Sequence, residues 1–274
     1  ILHDLRLRKD DFEIERMRIA SKISADGHEI VREFARPGMN ERDLQAQIEK
    51  YFLEKGTRGP AYGSIIASGD NACVLHYMAN NSPIRDGDLV LIDAGCSLED
   101  YYNGDITRTF PANGKFSGEQ KALYEITLKA QEAAIGSVRP GNSAENVHMT
   151  ALTHLVEGLV DIGLLVGEVD SIIEQEAYSH LYMHRTGHWL GLDVHDVGAY
   201  RLGDYHLKLE PGMVLTVEPG VYISDRLAVP KGQPEIHERW KGIGIRIEDD
   251  VLVTTNSVEV LSAIASKNLI DLEH

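Results

Sequence analysis

Between residues 11 and 35 the apolar positions Ile14, Met17, Ile23, Ile30, Val31 and Phe34 recur at helical intervals. They predict an amphipathic helix ended by Arg36-Pro37-Gly38. A second helix is expected from Asn40, as N-cap, through Leu44, Ile48 and Phe52 to Gly56. The same order then returns. Residues 119–138 read as a helix closed by Arg139-Pro140-Gly141, and another follows from Ser143 toward Leu159. After each helical pair the pattern changes to short apolar runs, and GDLVLIDAG (87–95) aligns without a gap on GMVLTVEPG (212–220), each run ending in a carboxylate. The order of helices, strands, helices, strands, with Pro and Gly at the junctions, predicts an α+β domain whose helices pack on a curved, mostly antiparallel sheet. The repeated segments predict an internal duplication, so residues 1–271 read as one domain of two similar halves. The closing Leu272-Glu273-His274 resembles the start of a histidine tag, and with Ile1 where an initiator Met would stand, a preceding domain is expected outside this sequence.

Composition narrows the partners. The 274 residues carry 27 basic and 43 acidic side chains, a net charge of −16, which disfavours nucleic acid or an anionic membrane and suits a divalent cation or a substrate with a free amine. Cys73 and Cys96 are spaced neither as a redox pair nor as half of a zinc site, so a reducing cytoplasm is the expected compartment. No apolar stretch reaches the roughly 18 residues of a spanning helix and no charged n-region with an apolar h-region opens the sequence, so neither a spanning helix nor a signal peptide is expected.

Residues 184–198, HRTGHWLGLDVHDVG, hold three histidines, two of them four apart. On a helix, such a pair could grip zinc, as in the H-E-x-x-H proteases. Here Arg185 stands where the general-base glutamate would be, and Gly187 and Gly191 would each cost a helix interior about 1 kcal/mol. The carboxylates carry more information. Asp93 and Glu218 end apolar runs, Glu248 precedes the run Val251-Leu252-Val253, and Asp105 lies in GDITRTF. Acids are almost never fully buried unless paired or bound to metal, because an uncompensated buried charge costs several kcal/mol. Arg246, two residues before Glu248 and on the same face of an extended strand, could neutralise only one of them. Four acids with one imidazole would suit Mn²⁺, or Co²⁺ and Zn²⁺, and two ions about 3.5–4 Å apart could share carboxylates and a bridging hydroxide.

The motifs CVLHY (73–77), LIDAGC (91–96), GDITRTFP (104–111), HWLGLDVHDVG (188–198), GMVLTVEPGVYI (212–223) and GIGIRIEDD (242–250) identify a resemblance. From about residue 5 to 262 the chain resembles the "pita-bread" domain of the dinuclear metallopeptidases, and most closely the aminopeptidase P (Xaa-Pro aminopeptidase) family. The resemblance implies five metal ligands. Asp105 and Glu248 would bridge two divalent ions, usually manganese in that family, with Asp93 on one ion and His188 and Glu218 on the other. His76, His184 and His195 would line the site, with His195 stabilising the tetrahedral intermediate and Tyr222 and Arg246 completing the wall. The implied activity is release of the N-terminal residue from peptides with proline second. The family also has an N-terminal domain that helps shape the pocket and the homo-oligomer.

One departure stands out. Asp93 and Asp105 are 12 apart, one more than the bacterial spacing, because residues 97–102 carry an extra residue that a hairpin loop is expected to absorb. A prolidase would share all five ligands and differ in cutting dipeptides. A methionine aminopeptidase fits CVLHY and IRIEDD less well, a creatinase-like hydrolase works without metal, and a non-catalytic pita-bread binding module would lack ligands that are all present here.

Overall fold

The computed structural model describes residues 1–273. It begins with helices α1 (Leu2–Leu7), α2 (Asp11–Phe34) and α3 (Glu41–Glu54), followed by strands β1 (Gly59–Pro60), β2 (Ile65–Ser68), β3 (Leu89–Asp93), β4 (Cys96–Ser97) and β5 (Thr107–Pro111). Helices α4 (Gly118–Ser137), α5 (Ala144–Asp161) and α6 (Val169–Glu174) lead to strands β6 (Arg201–Leu202), β7 (Tyr205–His206), β8 (Val214–Val217), β9 (Gly220–Ile223), β10 (Ile243–Arg246), β11 (Asp249–Val253) and β12 (Val258–Val260). Helix α7 (Leu269–Leu272) follows. Of the closing tripeptide, Leu272 is buried and Glu273 accepts the Phe116 N–H at 3.4 Å, whereas His274 lies outside the described residues.

The helix starts follow from side-chain chemistry. Asp10 with Glu13, Asn40 with Asp43 and Ser117 with Gln120 form reciprocal capping boxes, and Ser143 caps the N–H of Asn146, so each predicted helix begins where its cap stands. Helix α2 packs against α3 and α4 against α5, and their apolar faces close one core over the strands.

Every described strand pair is antiparallel. In the first half β3 lies between β2 and β5, and in the second β8 pairs with β11, which also pairs with β12. The extended segment 186–190 lies along the free side of β8, through Thr216 N–H to His188 O (2.9 Å), Glu218 N–H to Thr186 O (2.7 Å) and a bridge between Trp189 and Leu215. It occupies the place beside β8 that β2 occupies beside β3. Gly38 and Gly141, in the two Arg-Pro-Gly turns, share a left-handed backbone at φ +92 and +84. The duplication is therefore a property of the fold, with a carboxylate at the end of each middle strand and another shortly before each returning strand.

The halves are joined by a buried ion network. Asp249 is fully buried and accepts from Arg108 Nη2 (2.7 Å), Lys267 Nζ (2.6 Å), Gln131 Nε2 (2.7 Å) and Ser262 Oγ (2.7 Å). Arg108 also donates to the carbonyls of Glu248 (2.5 Å) and Ala265 (2.8 Å), tying β5 to β11. Burial alone would raise the Asp249 carboxyl, but the charges of Arg108 and Lys267 hold it well below the ordinary range. Arg108→Met leaves that carboxylate with half its positive charge and is expected to cost about 3–5 kcal/mol in urea denaturation. A depressed folded pKa stabilises above the unfolded value. That contribution is therefore present above about pH 4, is lost as pH falls below it, and should be absent from the acid limb of the stability curve of Asp249→Asn.

Candidate metal centre

Asp93 is the last residue of β3 and pairs across the ladder with Thr107 of β5. The hairpin between them is held shut by backbone contact at Gly95, where a Cβ would lie only 1.7 Å from the carbonyl oxygen of Gly104. The extra residue of the 97–102 segment is taken up in a tight turn, Leu98 N–H to Tyr102 O (2.9 Å), with Tyr101 left-handed at φ +73 and its ring under the Arg58 guanidinium. The segment is tied to α2 by Arg16 on Asp100 (2.6 Å) and by the Tyr102 hydroxyl on Glu13 (2.9 Å). Glu218 follows β8 directly, and Glu248 sits between β10 and β11 with its N–H on the Thr107 carbonyl at 3.1 Å. His188 comes from the extended segment beside β8 and not from a helix.

These five side chains meet on the floor of one cavity of about 910 Å³. Ligand atoms of Asp105, His188 and Glu248 all lie within 4.8 Å of one another. His188 Nε2 is 3.3 Å from Asp105 Oδ2 and 3.8 Å from Glu218 Oε1, while its Nδ1 lies 3.0 Å from the Trp189 carbonyl. A carbonyl only accepts, so Nδ1 carries the hydrogen and Nε2 faces the acids, the tautomer of a metal-ligating imidazole.

The electrostatics show how poorly four acids tolerate one another here. Burial raises Glu218 to about 7, with Asp105 and Asp93 adding to the rise and His188 and Arg246 opposing it. Burial and the charges of Asp105, Glu218 and Asp93 push Glu248 well above the carboxylate range, and burial raises Asp93 against the pull of Arg246. Burial would lower His188, yet its hydrogen bond to Asp105 and the charges of Asp105 and Glu218 lift it to about 9. Tyr62 sharpens the point. Its hydroxyl lies 2.6 Å from Asp93 Oδ1 and also contacts Asp105 Oδ1, but a phenol has one proton to give. The second carboxylate oxygen is matched only by a further proton or by a cation between the acids. A cluster of hard oxygen donors with one imidazole and a deficit of positive charge fits divalent ions.

A second layer holds this floor. Arg246 donates from Nη2 to Asp93 Oδ2 (2.6 Å), from Nε to Thr107 Oγ1 (3.1 Å) and from Nη1 to the Tyr222 hydroxyl (3.1 Å). Its ion pair is thus with Asp93, while it shares the Thr107 hydroxyl with Glu248, two residues on along the strand. The strand register continues through Ile247, whose N–H donates to the Pro219 carbonyl at 3.3 Å between the β9–β10 and β8–β11 pairings, so it is the reach of the guanidinium that selects Asp93. Tyr222 is 1% exposed and stands behind the cavity wall, which corrects the expectation that it lines the pocket. Its hydroxyl meets His184 Nε2 at 2.7 Å, while His184 Nδ1 faces the Arg185 carbonyl at 2.8 Å. Burial lowers His184 to about 3, so it stays neutral and is turned by Tyr222. His76 and His195 are exposed at the cavity mouth, and the His195 ring lies 4.1 Å from that of His188.

Three contributors carried no role in the sequence reading. Tyr62 has no distinctive neighbours in the chain. Thr107 donates to Glu248 Oε2 at 2.6 Å, and Asp250 accepts the Asp105 N–H at 3.2 Å. Alternation along GDITRTF and EDD would have signalled the last two, since successive strand residues face opposite sides.

The profile of metallopeptidase family M24 matches residues 15–255. The chain belongs to this family. Among curated relatives, the Xaa-Pro aminopeptidase of Haemophilus influenzae is 48% identical over 274 residues, all of this chain and 62% of the relative. That of Escherichia coli is 46% identical over 273 residues, covering 60% of its length. Among solved structures, Pseudomonas aeruginosa aminopeptidase PepP superposes with a TM-score of 0.94 at 50% identity, covering 99% of this chain and 60% of that one. Proline aminopeptidase P II from Yersinia pestis gives 0.93 at 46%, with the same coverage. The chain thus has the pita-bread fold of this family and spans about three fifths of the length of these relatives.

At neutral pH the metal-free cluster holds protons on His188 and partly on Glu218. A divalent cation must displace them, so its apparent affinity is expected to rise with pH between about 7 and 9. Calorimetric titration with Mn²⁺ in buffers of different ionisation enthalpy reads the released protons directly, and a pH-independent affinity without proton release would contradict this picture.

Proposed function

We propose that this chain is the catalytic part of an Xaa-Pro aminopeptidase, which releases the N-terminal residue from peptides with proline second. Two divalent ions, manganese by preference, would be held by Asp93, Asp105, His188, Glu218 and Glu248. What carries the reading is the convergence of four carboxylates, two buried and two half-buried, and one imidazole beneath a cavity with histidines at its mouth, in a chain whose relatives are named Xaa-Pro aminopeptidases. When bound, such ions make hydroxide available from water near neutral pH and polarise the scissile carbonyl.

The chain's own groups supply the rest. The acids of the floor attract the free α-amine and so restrict attack to the chain end. His195, at the mouth beside His188, donates an N–H to the oxygen that becomes negative as the carbonyl turns tetrahedral. Glu218, with Thr216 Oγ1 at 3.4 Å from its Oε1, takes a proton from the attacking water and passes it to the leaving proline nitrogen. Arg246 fixes Asp93, and Tyr222 fixes the His184 ring on the wall. The same reading takes residues 1–271 as one catalytic domain of a cytoplasmic homo-oligomer. Its net charge of −16 supports a partner other than nucleic acid.

The Mn²⁺-loaded protein is expected to cleave an Xaa-Pro-Xaa tripeptide. Turnover confined to Xaa-Pro dipeptides would favour the prolidase alternative, and turnover of methionyl peptides alone would sink both. His195→Ala should lower kcat by about 10²–10³ with metal content unchanged. Glu248→Ala should lose bound metal in elemental analysis.

A further inference from the structure

The loop that carries His195 is rooted on a buried charge. The Asp196 side chain is 1% exposed, and its Oδ2 lies 3.3 Å from Nζ of Lys9, itself 2% exposed. Arg6 Nη2 contacts Asp196 Oδ1 and reaches Asp193 Oδ2 at 2.7 Å, so two cations from the segment before α2 grip both ends of the tetrapeptide Asp193–Asp196. The fit is close: a Cβ at Gly191 would lie 2.2 Å from Asp196 Oδ2 and 3.0 Å from Lys9 Cε. Lys9 is itself fixed, its N–H on the Gly212 carbonyl at 2.8 Å. On the opposite side, the Gly191 carbonyl accepts the N–H and the Nδ2 of Asn103 at 3.1 and 3.0 Å, two residues before Asp105.

His195, by contrast, has no side-chain hydrogen bond among the described residues; its ring lies 4.1 Å from that of His188. Where that ring stands is therefore decided by its backbone, and the backbone is decided by Asp196. A buried ion pair is a poor way to gain stability, since well-packed apolar groups often do as well. What it fixes is the position of charged partners relative to one another.

We propose that Lys9, assisted by Arg6, is a positioning residue for the reaction: through Asp196 it sets the loop that holds His195 over the carboxylate floor. This rests on the role given to His195 above. Misplacing a catalytic group by about 1 Å can cost about 10² in rate. The segment before α2, distant in sequence from every side chain of the floor, thereby becomes part of the working site.

The test is a double-mutant cycle on the Mn²⁺-loaded chain with an Xaa-Pro-Xaa tripeptide. Lys9→Met should lower kcat by about 10- to 10²-fold, with KM and bound metal little changed, and Lys9→Arg should restore most of the loss. In a His195→Ala background, Lys9→Met should have no further effect on kcat. Amide hydrogen exchange in residues 192–197 should quicken in Lys9→Met without metal or substrate. Where Lys9→Met does not fold, Arg6→Met, from a partly exposed position, should show a smaller loss with the same non-additivity. A Lys9→Met loss that is equal in both backgrounds, or unchanged exchange in the loop, overturns the proposal while leaving the role of His195 intact. Full turnover by His195→Ala overturns that role, and the proposal falls with it.

Discussion

Four carboxylates crowded into a low-dielectric pocket are the constraint from which the rest of this molecule follows. Each pair repels, burial raises Asp93, Glu218 and Glu248, and Arg246 is a permanent cation in direct contact with Asp93. Without metal the cluster finds relief in protons, shared through Tyr62 and held on His188. Such a cluster would spread apart unless its backbone were fixed. The fixing is visible at each acid: a ladder pairing under Asp93, the Asp250 carboxylate on the Asp105 N–H, the Glu218 N–H on the Thr186 carbonyl, and the Thr107 hydroxyl on Glu248.

The duplication explains how one chain assembles so unfavourable a group. Each half builds a short antiparallel unit that delivers one acid at the end of a middle strand and one before the returning strand, and neither half alone concentrates four charges. Only docking does so. The interface that docks them carries its own compensated charges, Asp249 of one half bound to Arg108 of the other. Asp249 is held low by two cations while Glu248, its neighbour in sequence, is driven high by burial and by other acids. Adjacent residues of one segment face opposite sides, and the two environments invert the chemistry of the same functional group.

Much of this was legible in the chain. The helix starts were readable because Asn40 and Ser143 are caps whose chemistry is local, and Asp93, Glu218 and Glu248 were conspicuous because acids do not belong beside apolar runs. His188 was separable from His184 and His195 only through the resemblance, since nothing local distinguishes three histidines on a glycine-rich segment. What escaped were long-range relations. Arg246 pairs with Asp93, 153 positions away, and no pattern within IGIRIED announces that partner. Tyr222 falls behind the wall because the strand that carries it faces the core at that register, and Tyr62 earns its place only once Asp93 and Asp105 have been brought together.

The floor and the mouth of the cavity are held by different physics. Asp93 is set by its strand pairing and by Arg246, whereas His76 and His195 stand on loops that are each anchored by one buried carboxylate. Beneath His76 that anchor is Glu41, which accepts the N–H and hydroxyl of Ser68, the amide of Asn71, the hydroxyl of Tyr77 and the N–H of Ser82, all neutral donors. Beneath His195 it is Asp196, held by two cations. Neutral donors distribute one negative charge over a network of short bonds, while Lys9 and Arg6 reach Asp196 through long side chains whose grip depends on charge. Of the two histidines at the mouth, His195 is consequently the one whose placement answers to electrostatics beyond the site, and the cations that set it come from the start of the chain, 187 residues from the acids they hold.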